Sequence, residues 1–292
     1  MNMNIDSRQR RLIQGLARPV KVTPTGHPVY FGPMAVKAVI FDIYGTLLSS
    51  KAGDVGSDSN SGEQAVFEAA LQDGGWFPGQ KQEPRAEVSL LRESILRARQ
   101  QRSAQGVSHP EVDIVRIWQE VLLGLGLTAD DLDRVQLTAL SYECRVNPVW
   151  PMAGLQQVLE RLSGSGIQLG ILSNAQFYTP VLLEVLLERP FSLFHPELLV
   201  WSYKELTAKP SLKLFELMNS RLAQIGIQPA EVAYVGNDLK KDIMPASTVG
   251  WRTVLFAGDS RSLRLHSEDP ELAGVKPDMV INDIRQLLQI FV

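Results

Sequence analysis

Strands and helices take turns along the second half of this chain. After Pro148 and Pro151, short apolar β-rich runs occupy 167–172, 198–201, 232–235, 253–256 and 279–281. Between them, apolar residues recur every three or four positions at 155–162, 180–187, 212–225, 239–249 and 283–291. An earlier run, 35–41, has the strand character too and stops at Asp42 and the turn residues Gly45 and Thr46. Such alternation requires right-handed crossovers and a parallel sheet covered by helices on both faces. The expected fold class is therefore α/β, with a Rossmann-like parallel sheet core in three α/β/α layers. Ligands of open sheets of this kind gather at the carboxyl ends of the strands. Asp42, Ser173, Lys209 and Asp238 all lie at or shortly after such ends.

Residues 63–145 interrupt the pattern with little strand signal. Helical spacing is read at 63–71, 85–105, 111–123 and 129–144, with stripes such as Val88, Leu91, Ile95 and Leu96, or Val112, Val115, Trp118, Val121 and Leu122. Thr128 followed by Asp131 has the form of a capping box. The Ser/Gly/Asp-rich segment 49–62 reads as a linker into this insertion. The predicted division is an N-terminal arm at 1–34, a discontinuous core at 35–50 and 146–292, and an all-helical cap domain at 51–145. Trp76, Phe77 and Trp118 read as core residues, with an interface as the alternative, so the oligomeric state stays open.

Composition narrows the chemistry. A single cysteine, Cys144, excludes an intramolecular disulfide and a cysteine-based zinc cluster, and the four histidines show no metal-binding spacing. A net charge of −3 offers no global field for nucleic acid, so no nucleic-acid partner is expected. The longest strongly apolar stretch, 181–187, is far short of the ~20 residues that span a bilayer. With no apolar leader at the start either, no membrane association is expected and a cytoplasmic location is. Arg8, Arg10, Arg11, Arg18 and Lys21 make the first 21 residues basic. They read as a solvated arm that packs partly through Leu12, Ile13 and Leu16, with an anion-binding arm as the alternative.

The strand ends read Phe41-Asp-Ile-Tyr-Gly-Thr-Leu47, then Ile171-Leu-Ser-Asn174, then Ala208-Lys-Pro210, then Tyr234-Val-Gly-Asn-Asp-Leu-Lys-Lys-Asp242. In this order they resemble the four motifs of the haloacid dehalogenase superfamily, over roughly residues 35–50 and 148–285. The insertion sits where that family carries a small helical cap. The resemblance implies a hydrolase with Asp42 as nucleophile, a carboxylate at a strand end being able to form a covalent intermediate. Gly45 and Thr46 let the backbone turn so that amides face an anion. Ser173 and Asn174 are suited to phosphate oxygens, and Lys209 balances charge on nucleophile and transferring group. Asp42 and Asp238 fit Mg²⁺, which favours one or two carboxylates, with the Tyr44 backbone carbonyl as a further ligand. Asn237 and Asp242 are expected one layer out, Asp242 holding Lys209 or a metal-bound water.

One position departs from the family's phosphatases, which typically place an acid/base Asp two residues after the nucleophile. Here that residue is Tyr44, a hydrogen-bond donor with an ordinary pKa of about 10 and a poor base. Asp-x-Tyr-Gly-Thr is similar to the motif of the metal-independent 2-haloacid dehalogenases. Those typically lack the acidic fourth motif and carry an early cap arginine, whereas this chain has Asp54 and Asp58 there and no arginine until Arg85. The expectation is a Mg²⁺-dependent hydrolase of a phosphorylated small molecule, slow on esters with poor leaving groups. The alternatives are a metal-independent dehalogenase and a non-catalytic phosphate- or metabolite-binding protein.

Overall fold

The computed structural model describes residues 5–51, 62–76 and 88–292. The readings attached to Asp54, Asp58, Phe77 and Arg85 lie outside those residues. In chain order the elements are α1 (Ser7–Leu16), β1 (Ala38–Phe41), β2 (Leu48–Ser50), α2 (Glu63–Asp73), α3 (Ser89–Ala104), α4 (Ile114–Gly124) and α5 (Leu132–Val146). There follow β3 (Val149–Pro151), α6 (Leu155–Gly164), β4 (Gln168–Ser173), α7 (Tyr178–Leu186), β5 (Phe194–Trp201), α8 (Ser202–Glu205) and α9 (Leu212–Gln224). The chain closes with β6 (Val232–Gly236), α10 (Met244–Thr248), β7 (Arg252–Phe256), β8 (Met279–Ile281) and α11 (Leu287–Phe291).

Six strands form one parallel sheet in the order β5-β4-β1-β6-β7-β8. All of them were expected from the apolar runs. Side chains of β1 alternate between faces, as strand geometry dictates. Val39 and Phe41 join α6, α7 and α11 on one side, while Ala38 and Ile40 join α9 and α10 on the other. The chain leaves β1 to one side for β4 and β5, then crosses back to place β6 on the other side of β1. The site thus belongs at the β1/β6 edge, where the connections diverge.

The insertion departs through β2 and returns through β3, which pair antiparallel and carry the chain out of and back into the core. Sequence periodicity had not revealed this ribbon, because three-residue strands show no period. The inserted helices have their own apolar cluster around Phe67, Leu91, Trp118, Val121 and Val135, and Phe67 stacks on Trp118 at 5.3 Å. Leu96, expected in the α3 stripe, is exposed. The expected Thr128 cap also differs: α5 starts later, and Asp131 itself caps it by accepting the Arg134 amide at 3.2 Å. The predicted helix over 239–249 splits into a wide turn, Leu239–Ile243, and the short α10. Asp238 draws the first amides onto its side chain, and Pro245 opens the next helix.

The N-terminal arm packs on the core through Leu12, Ile13 and Leu16, as expected. Asp6 caps α1, Ile13 is fully buried, and α1 packs on α5 and α7. Further along, Tyr30 bridges antiparallel to Val280, so this segment covers the open edge of β8.

Core and insertion share buried polar contacts. Glu143 of α5 is 6% exposed and accepts from Asn147 Nδ2 and from the Tyr178 hydroxyl of α7, both at 3.0 Å. Burial pushes its carboxyl up from the ordinary range. A carboxyl raised by folding stabilises the fold while it stays protonated, and that contribution falls as pH rises through its folded value. Glu143→Gln should therefore gain melting temperature relative to the native chain as pH is raised from about 5 to about 8. Parallel thermal scans of both proteins across that range read the difference; a gap that does not widen with pH would contradict it.

Candidate active site

Three strand ends and one loop bring the sequence-predicted residues together. Asp42 follows β1, with its amide bonded to Val235 O at 3.0 Å on the neighbouring β6. Its Oδ1 accepts from Ser173 Oγ at the end of β4 (2.8 Å) and from Lys209 Nζ (2.7 Å). Both bonds fall on one oxygen, so Oδ2 is free of them. Burial raises the Asp42 carboxyl, Lys209 pulls it back down, and Asp242 raises it further.

Lys209 uses all three of its N–H groups. Beside Asp42 it donates to Asp242 Oδ1 at 2.5 Å and to the Tyr234 hydroxyl at 3.0 Å. The side chain is 3% exposed. Burial works against its charge, but Asp242 and Asp42 hold its pKa well above the ordinary lysine value. The other oxygen of Asp242 accepts the amides of Asn237 and Asp238, both at 3.0 Å. Asp242 therefore couples the lysine to the turn that carries Asp238. This close approach requires Gly236, since a Cβ there would sit 2.5 Å from Asp242 Cγ.

Several predicted phosphate ligands have structural partners. Thr46 Oγ1 donates to Asn237 Oδ1 at 3.0 Å, which ties the turn after β1 to the turn after β6. Gly45 has φ +83° and would otherwise press a Cβ to within 2.7 Å of Asn237 Nδ2. Asn174 accepts the Lys209 amide at 2.7 Å and so fixes the lysine backbone. These side chains shape the cradle, and Ser173 and Lys209 carry the polar groups that meet Asp42.

Tyr44 points elsewhere than a catalytic Asp would need to. Its hydroxyl shares a 2.8 Å hydrogen bond with Thr179 Oγ1. Burial, and then Glu143, drive its pKa well above the ordinary phenol value, so it stays neutral. Its backbone carbonyl accepts no backbone hydrogen bond among the described residues. Asp238 Oδ1 accepts the amides of Lys240 (2.9 Å) and Lys241 (2.8 Å) and the His266 ring (2.8 Å). Among the described residues, no three His, Cys, Asp or Glu side chains form a cation cage. The expected donors are two carboxylates from neighbouring strand ends, Asp42 and Asp238, and the Tyr44 main-chain carbonyl. That fits Mg²⁺, which keeps waters and takes few protein ligands.

Sequence reasoning missed Tyr234, Thr179 and His266. Tyr234 had a signal, for a tyrosine inside a buried strand needs a partner for its hydroxyl. It finds Leu172 O at 2.7 Å as well as Lys209. Cys144, near Tyr44, is pushed up to about 12 by burial and stays an inert thiol.

The sequence signature of the haloacid dehalogenase-like hydrolases matches residues 36–250. The chain belongs to that family. It is thus a hydrolase of the haloacid dehalogenase superfamily, in which the alternating strands and four motifs find their place. A phosphoserine phosphatase from Thermus thermophilus is 30% identical over 172 residues, 59% of this chain and 62% of the relative. The chain thus spans less than two thirds of that protein's length. Among solved structures, a 2-haloacid dehalogenase from Pseudomonas syringae pv. tomato superposes with a TM-score of 0.57 at 20% identity, covering 87% of this chain and 96% of its own. A phosphatase of the superfamily from Thermococcus onnurineus gives 0.51 at 21% identity, covering 88% and 100%. At those identities the two structures share the fold.

Removing the lysine leaves Asp42 and Asp242 buried without their cation. Lys209→Met should cost about 3–5 kcal/mol of stability, the usual range for breaking a buried pair. Adding Asp242→Asn should restore part of it, because one of the stranded charges is then gone. Urea unfolding in EDTA measures both; a Lys209→Met loss under about 1 kcal/mol would contradict this account.

Proposed function

We propose that this protein is a Mg²⁺-dependent hydrolase of a small phosphorylated molecule, working through a phosphoryl group carried on Asp42. The observation that carries the reading is the acidic turn after β6. Asp242 fixes Lys209 against Asp42, while Asp238 is left as a second carboxylate beside the nucleophile's strand. The metal-free dehalogenases have no need of that second carboxylate. The activity of the Thermus relative supports the same direction.

In this mechanism Asp42 Oδ2 attacks phosphorus in line, and the P–O bond to the leaving group breaks with its electron pair going to that group. Lys209 and Ser173 hold Oδ1 and so orient the attacking oxygen. Water then attacks phosphorus, the aspartate leaves with its pair, and phosphate and a proton are released. Asp42, Asp238 and the Tyr44 carbonyl would hold Mg²⁺, which when bound neutralises phosphoryl charge. Tyr44 keeps its proton and is turned to Thr179, so neither step has the usual aspartic acid/base. Leaving groups that depart without a proton, such as acyl phosphates and aryl esters, are favoured. The helices inserted at 51–145 act as a cap that excludes bulk water and sets specificity.

Tyr44 itself favours one rival, the metal-independent dehalogenase. Both are settled by one set of assays. p-Nitrophenyl phosphate should be hydrolysed with Mg²⁺ and not in EDTA, and Asp42→Asn should lower the rate at least about 10³-fold. Chloride release from 2-chloropropionate in EDTA would reverse the choice. Phosphate binding without turnover, unchanged by Tyr44→Asp, would mark a binding protein.

A further inference from the structure

The loop after β7 is bonded residue by residue to the turn after β6. Leu239 N donates to Arg264 O at 2.8 Å, Arg264 N to Asn237 O at 3.0 Å, and Asn237 Nδ2 to Ser262 O at 2.5 Å. Asp238 and Arg264 thereby form a parallel bridge. The loop is held from behind by the N-terminal segment. Thr23 N donates to Asp259 Oδ1 at 3.1 Å, Ser260 N to Thr23 O at 2.8 Å, and Arg261 Nη2 to Lys21 O at 2.6 Å.

This scaffold delivers His266 with φ +49°, a left-handed backbone that side-chain-bearing residues rarely adopt. From that conformation the ring Nε2–H donates to Asp238 Oδ1 at 2.8 Å. The same oxygen already accepts two backbone amides. With three donors on Oδ1, the carboxylate is fixed in rotation and its Oδ2 is the oxygen left for a cation. The His266 side chain is 30% exposed, that of Asp238 8%. The ring also borders a cavity of about 270 Å³ with His27, Leu239 and Leu265. Changing it therefore alters an existing cavity and leaves the core closed.

We propose that His266 is a positioning residue for the cation site, setting Mg²⁺ affinity through the orientation of Asp238 without touching substrate. The inference rests on the Mg²⁺ reading above. Ligand-orienting hydrogen bonds of this kind typically govern metal affinity by about 10–100-fold.

Calorimetric titration of the full chain with Mg²⁺ alone, at one fixed mildly alkaline pH and without substrate, tests it. Asp238→Asn should abolish binding. His266→Leu, which fills the ring's volume without a donor, should weaken Kd at least about tenfold. So should His266→Asn, which tolerates the left-handed backbone but has a shorter amide. His266→Gln, whose amide reaches as far as Nε2, should recover most of the loss. Melting temperatures in EDTA establish that each variant folds. A purely structural histidine would move those temperatures and leave Kd alone. If Asp238→Asn abolishes binding while a folded His266→Leu or His266→Asn stays within about twofold of the native Kd, the role assigned to His266 is wrong and the metal site stands. If the native chain binds no Mg²⁺, the metal reading falls and this inference with it.

Discussion

An ammonium group held between two buried carboxylates organises the catalytic edge of this protein. Lys209 reaches Asp42 on one side and Asp242 on the other, and the Tyr234 hydroxyl accepts its third N–H. Three formal charges in a dry interior tolerate little displacement, because each loses solvation that only its partners replace. The strands that supply them must therefore keep their register. Gly236 lets Asp242 close in, Asn174 fixes the lysine backbone, and Thr46 with Asn237 binds the first turn to the fourth. The site is less a set of independent ligands than one hydrogen-bonded unit spread over three strand ends and the loop that carries Lys209.

Much of this was legible before any coordinates. Residues that alternate in a strand or recur at helical spacing announce themselves, so the parallel sheet and its flanking helices followed from runs such as 167–172 and 212–225. The motif residues were legible by order and by their place after apolar runs. What stayed hidden depends on partners distant in sequence. Nothing near Tyr234 states that its hydroxyl will meet Lys209. His266 lies 28 residues beyond Asp238, and only a loop doubling back brings them together. The β2–β3 ribbon was missed because three residues are too few to show a period. The split of the expected helix at 239–249 likewise comes from a tertiary demand, the pull of the Asp238 carboxylate on the amides that would otherwise begin a helix.

Tyr44 shows how one substitution can be absorbed by its surroundings. An aspartate at that position would need a polar environment to titrate. The phenol instead sits among Thr179, Tyr178 and Glu143, in a part of the core where burial raises the pKa of Tyr44, Tyr178 and Glu143 alike. Position 44 belongs electrostatically to the interior behind Asp42, and the mechanism proposed above accordingly relies on the leaving group and on solvent.

The helix α5 closes the insertion and yet contributes Leu140 and Cys144 to the apolar cluster of the core, where α1 packs against it. α5 is thus shared between the two apolar clusters, with Val135 and Ala139 facing the inserted helices. The same helix holds α2, since Ser141 Oγ and Arg145 Nη2 both donate to Asp73 Oδ2, at 2.5 and 2.6 Å. One face of the insertion is therefore anchored to the sheet through α5, so a change in the packing of Leu140 or Cys144 would be felt on both sides of that helix.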